Sequence, residues 1–261
     1  MERKNETLRK LFESHYTWIE GFNRNVRRYY DRMAMIDPYS NRQWTYKELN
    51  NEVNRLANTL LEDGFKDGDV VMVMTQNCPE FAFAYIATQK IHGVMSPVSF
   101  RLSAGELVHN LNDSNPKVII FDSKRKDTVL QAVKTSGLMP SHLIVTDGIT
   151  DKEVMSYHDY VEGASNREPS VVEPHNIYEE TTRLYTSGTT GRPKGVPLTS
   201  INEVLSAHDI MIHFPMSFRD VTMNTTPWFH RGGIHCGGPC PTFYAGGTLV
   251  VMNKFDAVNT L

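Results

Sequence analysis

The chain has 261 residues, and its 27 Lys and Arg against 30 Asp and Glu give a net charge of −3. This balance offers no broad basic surface for nucleic acid or anionic lipid, and no run reaches the roughly 18 apolar residues of a membrane span. The three cysteines are too few for a disulfide framework, and the N-terminal segment lacks the apolar core of a signal peptide. We therefore expect a soluble cytoplasmic protein that binds neither nucleic acid nor a membrane.

Apolar periodicity predicts helices that alternate with short strands along most of the chain. The predicted helices lie at residues 45–64, 79–93, 103–114, 127–137, 156–164 and 200–214. The predicted strands lie at residues 70–75, 94–99, 117–122, 141–147, 182–187, 220–227 and 246–253. Gly64 is placed to end the first helix in a left-handed conformation. Three helix starts carry a capping-box pattern, at Thr45 with Glu48, Ser103 with Glu106, and Ser200 with Glu203.

This alternation predicts a layered α/β fold of mostly parallel sheets covered by helices. Residues 1–40 are interpreted as a helical lead-in and residues 41–180 as a first α/β subdomain. Residues 181–261 form a second, incomplete α/β subdomain in this interpretation, and the two subdomains meet near residues 186–195. Asp256 is placed to cap a helix, but only about one turn of that helix follows in the sequence. A single turn is only marginally stable alone, so we expect a cut chain. Its uncovered apolar faces would favour self-association.

The most informative stretch is "LYTSGTTGRPKGVPLTS", residues 184–200. A loop so rich in Gly, Ser and Thr lets the backbone approach a ligand closely and offers several amide and hydroxyl donors to phosphate oxygens. Lys194 adds a positive charge on a flexible stem. The P-loop pattern does not match, because Arg192 and Pro193 separate Gly191 from the lysine and no hydroxyl residue follows it.

The ordered pattern T-S-G-T-T-G-x-P-K-G resembles the phosphate-binding signature of the adenylate-forming enzymes, which include acyl-CoA and aryl-CoA synthetases. Four further segments resemble motifs of that superfamily in the same order. They are "WTYKELN" (44–50), "QKIHGVMSPVSFRLSAGEL" (89–107), "PWFHRGGI" (227–234) and "AGGTLVVMNKFD" (245–256). The fold that this resemblance implies is the N-terminal large domain of an adenylate-forming enzyme, truncated.

The resemblance also implies a reaction in two steps, in which ATP and a carboxylic acid give an acyl-adenylate and coenzyme A then takes the acyl group. ATP, Mg²⁺ and coenzyme A are the implied cofactors, and a small-molecule carboxylic acid is the implied substrate. The residues that it assigns to the phosphates are Thr186, Ser187, Gly188, Thr189, Thr190, Gly191 and Lys194. Lys194 and His230 would be catalytic, and Trp228, Phe229, His230 and Gly232 would line the carboxylate pocket.

Later motifs of the superfamily are missing from the sequence, among them the Glu that helps to hold Mg²⁺, the ribose-binding Asp and the lysine of the small C-terminal domain. The chain by itself is therefore expected to be inactive. Two alternatives stay open: a non-catalytic nucleotide-binding or structural fragment, and one half of a split enzyme.

A cluster of His230, His235, Cys236 and Cys240 has the residue types of a zinc site but not a standard spacing. We therefore predict no metal site there and interpret the cysteines, with Cys78, as buried thiols.

Overall fold

The computed structural model describes residues 2–186, 192–255 and 257, with side chains from residue 5 onward. The described α-helices are α1 (Glu2–His15), α2 (Trp18–Arg28), α3 (Tyr46–Glu62), α4 (Pro79–Lys90), α5 (Ala104–Ser114), α6 (Lys126–Ser136), α7 (Tyr157–Val161), α8 (Ser200–His213), α9 (Arg231–Ile234) and α10 (Pro239–Ala245). A short 3₁₀ helix, Ser123–Arg125, precedes α6. No helix in this part of the chain combines the length and the apolar character that a bilayer crossing requires.

The strands form two sheets. They are β1 (Met33–Asp37), β2 (Arg42–Thr45), β3 (Val70–Met74), β4 (Val94–Pro97), β5 (Val118–Phe121), β6 (His142–Val145), β7 (Met155–Ser156), β8 (Glu180–Thr186), β9 (Lys194–Thr199), β10 (Val221–Met223) and β11 (Thr248–Val250). The larger sheet has the order β7-β6-β5-β3-β4-β8-β9 and is parallel except for the final pair. The smaller sheet has the order β10-β11-β1-β2, with the pair of β1 and β2 antiparallel. The predicted layered α/β fold of mostly parallel sheets is confirmed.

The larger sheet is buried on both faces, which explains its continuous apolar strands. Val71 and Val73 of β3 face the core that contains α3 and α4, while Met72 and Met74 face the core that contains α5 and α6. This alternation follows from the period of two in a strand. The larger sheet therefore has helices on both sides of its central strands.

The predicted helical lead-in, residues 1–40, contains α1 and α2 but also β1, which lies between β11 and β2 in the smaller sheet. Residues 181–261 are likewise divided, because β8 and β9 join the larger sheet and β10 and β11 the smaller one. Local periodicity does not reveal such pairings between distant segments.

The capping boxes at Thr45 and Ser103 and the left-handed Gly64 are confirmed. The box predicted at Ser200 is wrong by one residue, since Thr199 is the N-cap of α8 and its backbone N–H donates to Asn202 Oδ1 at 2.9 Å. Ser200 Oγ accepts instead from the backbone N–H of Trp18, at 2.8 Å. Glu203 is thereby turned into the core. The cap predicted at Asp256 lies outside the described residues.

Candidate functional site

The stretch that resembles a phosphate-binding signature is the turn of the β8–β9 hairpin. Thr186, the last residue of β8, pairs with Lys194, the first residue of β9. Both are exposed, and so is Arg192. The other predicted phosphate ligands, Ser187, Gly188, Thr189, Thr190 and Gly191, lie outside the described residues. The described ends of the turn thus bring a hydroxyl and a lysine to the same edge of the larger sheet.

The hairpin is anchored on α5. Tyr185 Oη donates to Asp113 Oδ2 at 2.7 Å, and His109 Nε2 lies 2.7 Å from the carbonyl oxygen of Pro193, to which it can donate. A Cβ at Gly195 would come within 2.9 Å of Asp113 Oδ2, so a glycine permits this close approach. Burial and the bond to Asp113 raise the pKa of Tyr185, so its phenol remains a donor at neutral pH.

A cavity of about 710 Å³ opens beside the hairpin. Its apolar wall comes from the segment after β4, from α5 and from Phe229, and its polar wall from Thr186, Arg192, His109 and Asn110. The size lies in the range of about 300–1,000 Å³ that is usual for small-molecule sites. The position at the carboxyl ends of parallel strands is where open α/β sheets bind ligands.

Asn110 supplies an acceptor that no described residue satisfies. The residue is 2 % exposed, and its Oδ1 is buried without a hydrogen-bond partner in the described structure. A buried acceptor without a partner costs about 1–3 kcal/mol, so this atom is an unpaired polar group close to the cavity wall. Sequence reasoning did not single out Asn110, because nothing in its local pattern separates it from other polar residues of an amphipathic helix.

Phe229 and His230 both line the cavity, with ring centroids 4.0 Å apart. Phe229 is buried and packs edge-on against Phe100, at 5.5 Å and 88°. His230 is largely exposed and is the N-cap of α9. Partial burial, and then the charge of Arg101, lower the pKa of His230, so the imidazole is neutral at pH 7. A neutral imidazole can donate from one nitrogen and accept at the other.

Trp228 lies behind this wall and is not among the cavity-lining residues. It is fully buried and packs edge-on against Phe81, at 5.5 Å and 66°. Its backbone N–H donates to Asn77 Oδ1 at 2.8 Å, while Asn77 Nδ2 donates to the carbonyl oxygens of Thr226 and Met252. Asn77, which sequence reasoning missed, therefore ties the end of β3 to the segment that carries Phe229 and His230.

Two adjacent glycines in "HRGGI" differ in their surroundings. Gly232 is exposed, does not line the cavity, and would have no atom within 4 Å of an added Cβ. A Cβ at Gly233 would lie 2.0 Å from the carbonyl oxygen of Pro227. The backbone at position 233 lies so close to the carbonyl of Pro227 that this position requires a glycine.

A buried polar cluster around Glu203 links β8 to the end of α9. Glu203 accepts hydrogen bonds from Tyr85 at 2.9 Å and from Thr182 of β8 at 2.9 Å, and pairs with His235 Nε2 at 2.6 Å. Burial acts to raise the pKa of Glu203, but the charge of His235 and the hydrogen bonds outweigh it and the net pKa lies below its usual value. The strand that feeds the hairpin and the end of α9 thus meet at one carboxylate.

The cysteine predictions have mixed outcomes. Cys240 is fully buried, and its thiol donates to the backbone carbonyl of Glu203. Cys236 is exposed, so its prediction as a buried thiol is wrong, and Cys78 is half-buried. Of the four residues in the spaced His and Cys pattern, His235 and Cys240 approach each other, with Glu203, within 4.8 Å. His230 and Cys236 are not in this group.

Known proteins agree with this architecture. The family model of the AMP-binding enzymes matches residues 22–261. A crotonobetaine/carnitine–CoA ligase of Citrobacter koseri is 28% identical over 217 residues, which are 83% of this chain and 42% of that protein. A crystal structure of a protein described as a putative long-chain-fatty-acid CoA ligase from Rhodopseudomonas palustris superimposes with a TM-score of 0.83 at 25% identity. The match covers 94% of this chain and 59% of that one.

The N-terminal domain of FACL13 from Mycobacterium tuberculosis has the same fold, with a TM-score of 0.78 at 24% identity. That match covers 94% of this chain and 59% of the solved domain. The fold of the described residues is that of the corresponding parts of these two solved proteins. The chain belongs to the AMP-binding enzyme family. It spans about 42% of the length of the curated relatives that it matches.

Proposed function

We propose that this chain contributes the ATP-phosphate-binding half of an enzyme that activates a carboxylic acid and transfers it to a thiol. A carboxylate oxygen would attack the α-phosphorus of ATP, and pyrophosphate would leave. A thiol, which we propose to be that of coenzyme A, would then attack the acyl carbon, and AMP would leave. The observation that carries this proposal is the β8–β9 hairpin, with its T-S-G-T-T-G-x-P-K-G turn, placed beside a cavity of ligand size.

Lys194 and Thr186 are proposed to hold the β- and γ-phosphates together with Ser187, Gly188, Thr189, Thr190 and Gly191. Phosphoryl chemistry depends mainly on positioning and on neutralising charge, which amide, hydroxyl and ammonium donors supply. Because Thr186 and Lys194 are paired neighbours in the sheet, both ends of the turn are fixed before a nucleotide arrives.

The carboxylic acid is proposed to enter the cavity on the side of Phe229 and His230. Arg192 in the cavity wall can attract the anionic substrate, and His230, neutral at pH 7, can orient it by a hydrogen bond. Trp228, behind them, is proposed to support the wall through its packing on Phe81. The proposed pocket role of Gly232 has no contact in the described structure to support it.

The described residues do not by themselves fit Mg²⁺. Glu106 is the one carboxylate among the described residues that line the cavity, and its Oε2 already accepts from the hydroxyl and the backbone N–H of Ser103. That bonding lowers the pKa of Glu106 and commits the carboxylate to the cap of α5. We therefore assign no magnesium ligand in this part of the chain.

The isolated 261-residue chain is proposed to bind a nucleotide without completing the reaction. The support is its coverage of about 42% of the curated relatives, together with the missing carboxylate and lysine motifs. A split enzyme whose second polypeptide supplies those motifs stays open. The three unpaired thiols fit the cytoplasmic location that we propose.

Binding of ATP to the 261-residue chain tests the role of the hairpin. Calorimetric titration should show saturable binding that weakens by about tenfold or more in Lys194→Ala, because each lost charge-assisted contact is worth about 1.5–3 kcal/mol. Lys152→Ala is the matched control, since Lys152 is an exposed lysine outside the cavity lining, and it should bind ATP like the parent chain. Equal affinities in the two variants would exclude Lys194 from the phosphate site.

Exchange of labelled pyrophosphate into ATP tests the reaction itself, in a longer polypeptide that contains this chain. The exchange should depend on an added carboxylic acid and should fall sharply in Lys194→Ala but not in Lys152→Ala. Robust turnover by the pure 261-residue chain would contradict the proposal that it is inactive alone.

A further inference from the structure

A cluster of two histidines and a glutamate lies away from the cavity, at the opposite end of the strands. His92 is in the turn between α4 and β4, and His175 and Glu179 are in the segment that leads into β8. Their side chains are 6%, 13% and 31% exposed, respectively. The cluster is thus half enclosed by protein, with Glu179 facing solvent. Neither the proposed reaction nor the hairpin uses these residues.

The separations of the polar atoms suit a metal ion. Glu179 Oε2 lies 3.1 Å from His92 Nδ1 and 3.6 Å from His175 Nδ1, and the three ligand atoms all lie within 4.8 Å of one another. Tetrahedral zinc, with bonds of about 2.0–2.1 Å to nitrogen and oxygen, separates its ligand atoms by about 3.3–3.4 Å. The two imidazole rings stack with centroids 4.2 Å apart. Small shifts of the side chains would therefore bring all three ligand atoms to bonding distance from one ion.

The hydrogen bond on the far side of His92 fixes the tautomer that a metal needs. His92 Nε2 lies 3.0 Å from the carbonyl oxygen of Glu173, which can only accept, so Nε2 carries the hydrogen. When this ring is neutral, Nδ1 is the nitrogen left free to bind an ion, and Glu179 Oε2 lies 3.1 Å away on that side. A metal-ligating histidine usually donates its other N–H to a carbonyl or carboxylate in this way.

The backbone holds His92 in place before any metal binds. Its φ is +56°, and its carbonyl oxygen accepts from the backbone N–H of Gly68 at 2.8 Å. Such a φ is uncommon for a residue other than glycine, with histidine among the side chains that adopt it more often. The turn therefore presents the imidazole in a fixed orientation towards Glu179.

We propose that His92, His175 and Glu179 form a binding site for a divalent transition metal ion, with Zn²⁺ as the best match to two imidazoles and a carboxylate. Three protein ligands leave a fourth position for water, on the solvent side of Glu179. Binding would clamp the segment before β8 to the turn before β4, and these two strands are parallel neighbours in the larger sheet. The buried group of Glu203, His235 and Cys240 is less suitable, because protein donors already occupy both oxygens of Glu203.

Metal titration of the chelator-treated 261-residue chain tests the proposal. Competition with a chromophoric chelator should give one Zn²⁺ per chain, and Co²⁺ should give the visible spectrum of a nitrogen- and oxygen-ligated ion. His175→Gln and Glu179→Gln should each weaken Zn²⁺ binding by at least about tenfold. Changing a residue that only hydrogen-bonds to a metal ligand already lowers metal affinity by about that factor. His175 and Glu179 are more exposed than His92, so these variants are the ones expected to keep the fold, which circular dichroism checks.

Two control variants distinguish this site from adventitious binding. Glu173→Gln keeps the backbone carbonyl that orients His92, and Cys236→Ser removes an exposed thiol elsewhere. Both should bind Zn²⁺ like the parent chain. The proposal is overturned if Zn²⁺ does not bind, if His175→Gln and Glu179→Gln bind it unchanged, or if the Co²⁺ spectrum shows thiolate ligation that Cys236→Ser abolishes.

Discussion

Gly233 shows how one residue can shape the wall of the cavity. The Cβ of Gly233→Ala would lie 2.0 Å from the carbonyl oxygen of Pro227, so the segment before Phe229 must move. We expect a loss of about 1–3 kcal/mol in the free energy of unfolding, as for other overpacked sites, measured by urea denaturation. Gly232→Ala meets no atom within 4 Å and should change it by less than about 0.5 kcal/mol. Equal effects of the two substitutions would contradict this account of the segment.

Glu203 is a second residue whose environment predicts a measurable effect. Its pKa in the folded protein is lowered, so its contacts stabilise the fold above the pKa of the unfolded carboxyl and are lost as pH falls through the folded pKa. Glu203→Gln should cost about 3–5 kcal/mol at pH 7, because it leaves His235 without its partner in a buried site. The difference from the parent chain should begin to shrink below about pH 4.3, the usual pKa of a glutamate, and should shrink further as the pH falls through the lower folded pKa.

Urea denaturation at several pH values measures this, and Glu162→Gln, at an exposed position, is the matched control. A destabilisation that is the same at pH 7 and at about pH 3 would show that the charge of Glu203 does not contribute.

Single residues were predictable from the sequence where an ordered motif marked them. The motif "PWFH" directed attention to Phe229 and His230, which both line the cavity. It did not show that Trp228 is buried outside the cavity lining, or that Asn77 and Glu203 hold the surrounding segments. Asn77 contacts Trp228 across 151 positions and Glu203 contacts His235 across 32, and no local pattern encodes such distances.

Among the secondary-structure elements, α5 holds the β8–β9 hairpin in place through hydrogen bonds. Tyr185→Phe removes the bond to Asp113 and should lower the free energy of unfolding by about 1 kcal/mol, the typical value of one hydrogen bond. Hydrogen–deuterium exchange should become faster in β9, because the hairpin loses one of its two polar contacts with α5 named above. Tyr178→Phe is the control, at an exposed tyrosine before β8. Unchanged exchange in β9 would show that the packing of the hairpin, and not this bond, holds it.

The helix starts illustrate what local sequence can and cannot decide. Thr45 and Ser103 each precede a single good partner three residues later, so the predicted capping boxes are confirmed. Thr199 and Ser200 are adjacent hydroxyl residues, and Asn202 and Glu203 are adjacent partners, so two registers compete. The structure uses Thr199, because Glu203 is then free to meet Tyr85, Thr182 and His235 in the core. A tertiary contact decided between two equal local signals.

Exposed apolar side chains on α8 and β10 predict self-association of the molecule. Leu205, Ile212 and Val221 are 58%, 76% and 64% exposed, and β10 is an edge strand of the smaller sheet. Such surfaces favour association, so light scattering of the 261-residue chain should show a mass that rises with concentration. Replacing Leu205 and Ile212 with Lys should reduce this rise, while Met139→Lys, at an isolated exposed position, should not. A stable monomer at all concentrations would contradict the prediction.

The layered α/β fold followed from the alternation of strands and helices, because each βαβ unit is a local feature of the sequence. Which strands join which of the two sheets did not follow. β1 pairs with β11 and β2, so its place depends on segments at both ends of the chain. The apolar residues of β1 are compatible with several environments, and only the packing of the finished molecule selects one.

The central position of β1 in the smaller sheet has a consequence for synthesis. Thr248 Oγ1 donates to the backbone carbonyl of Met33, across 215 positions of the chain. At roughly 5–20 residues per second, about 10–40 s separate the appearance of these two residues from the ribosome. During that interval the β1–β2 pair has an open edge, while the strands of the larger sheet emerge in succession and can pair with one another. The nascent chain is therefore open to chaperones and to misassembly at this edge of β1 until β11 has been made and pairs with it.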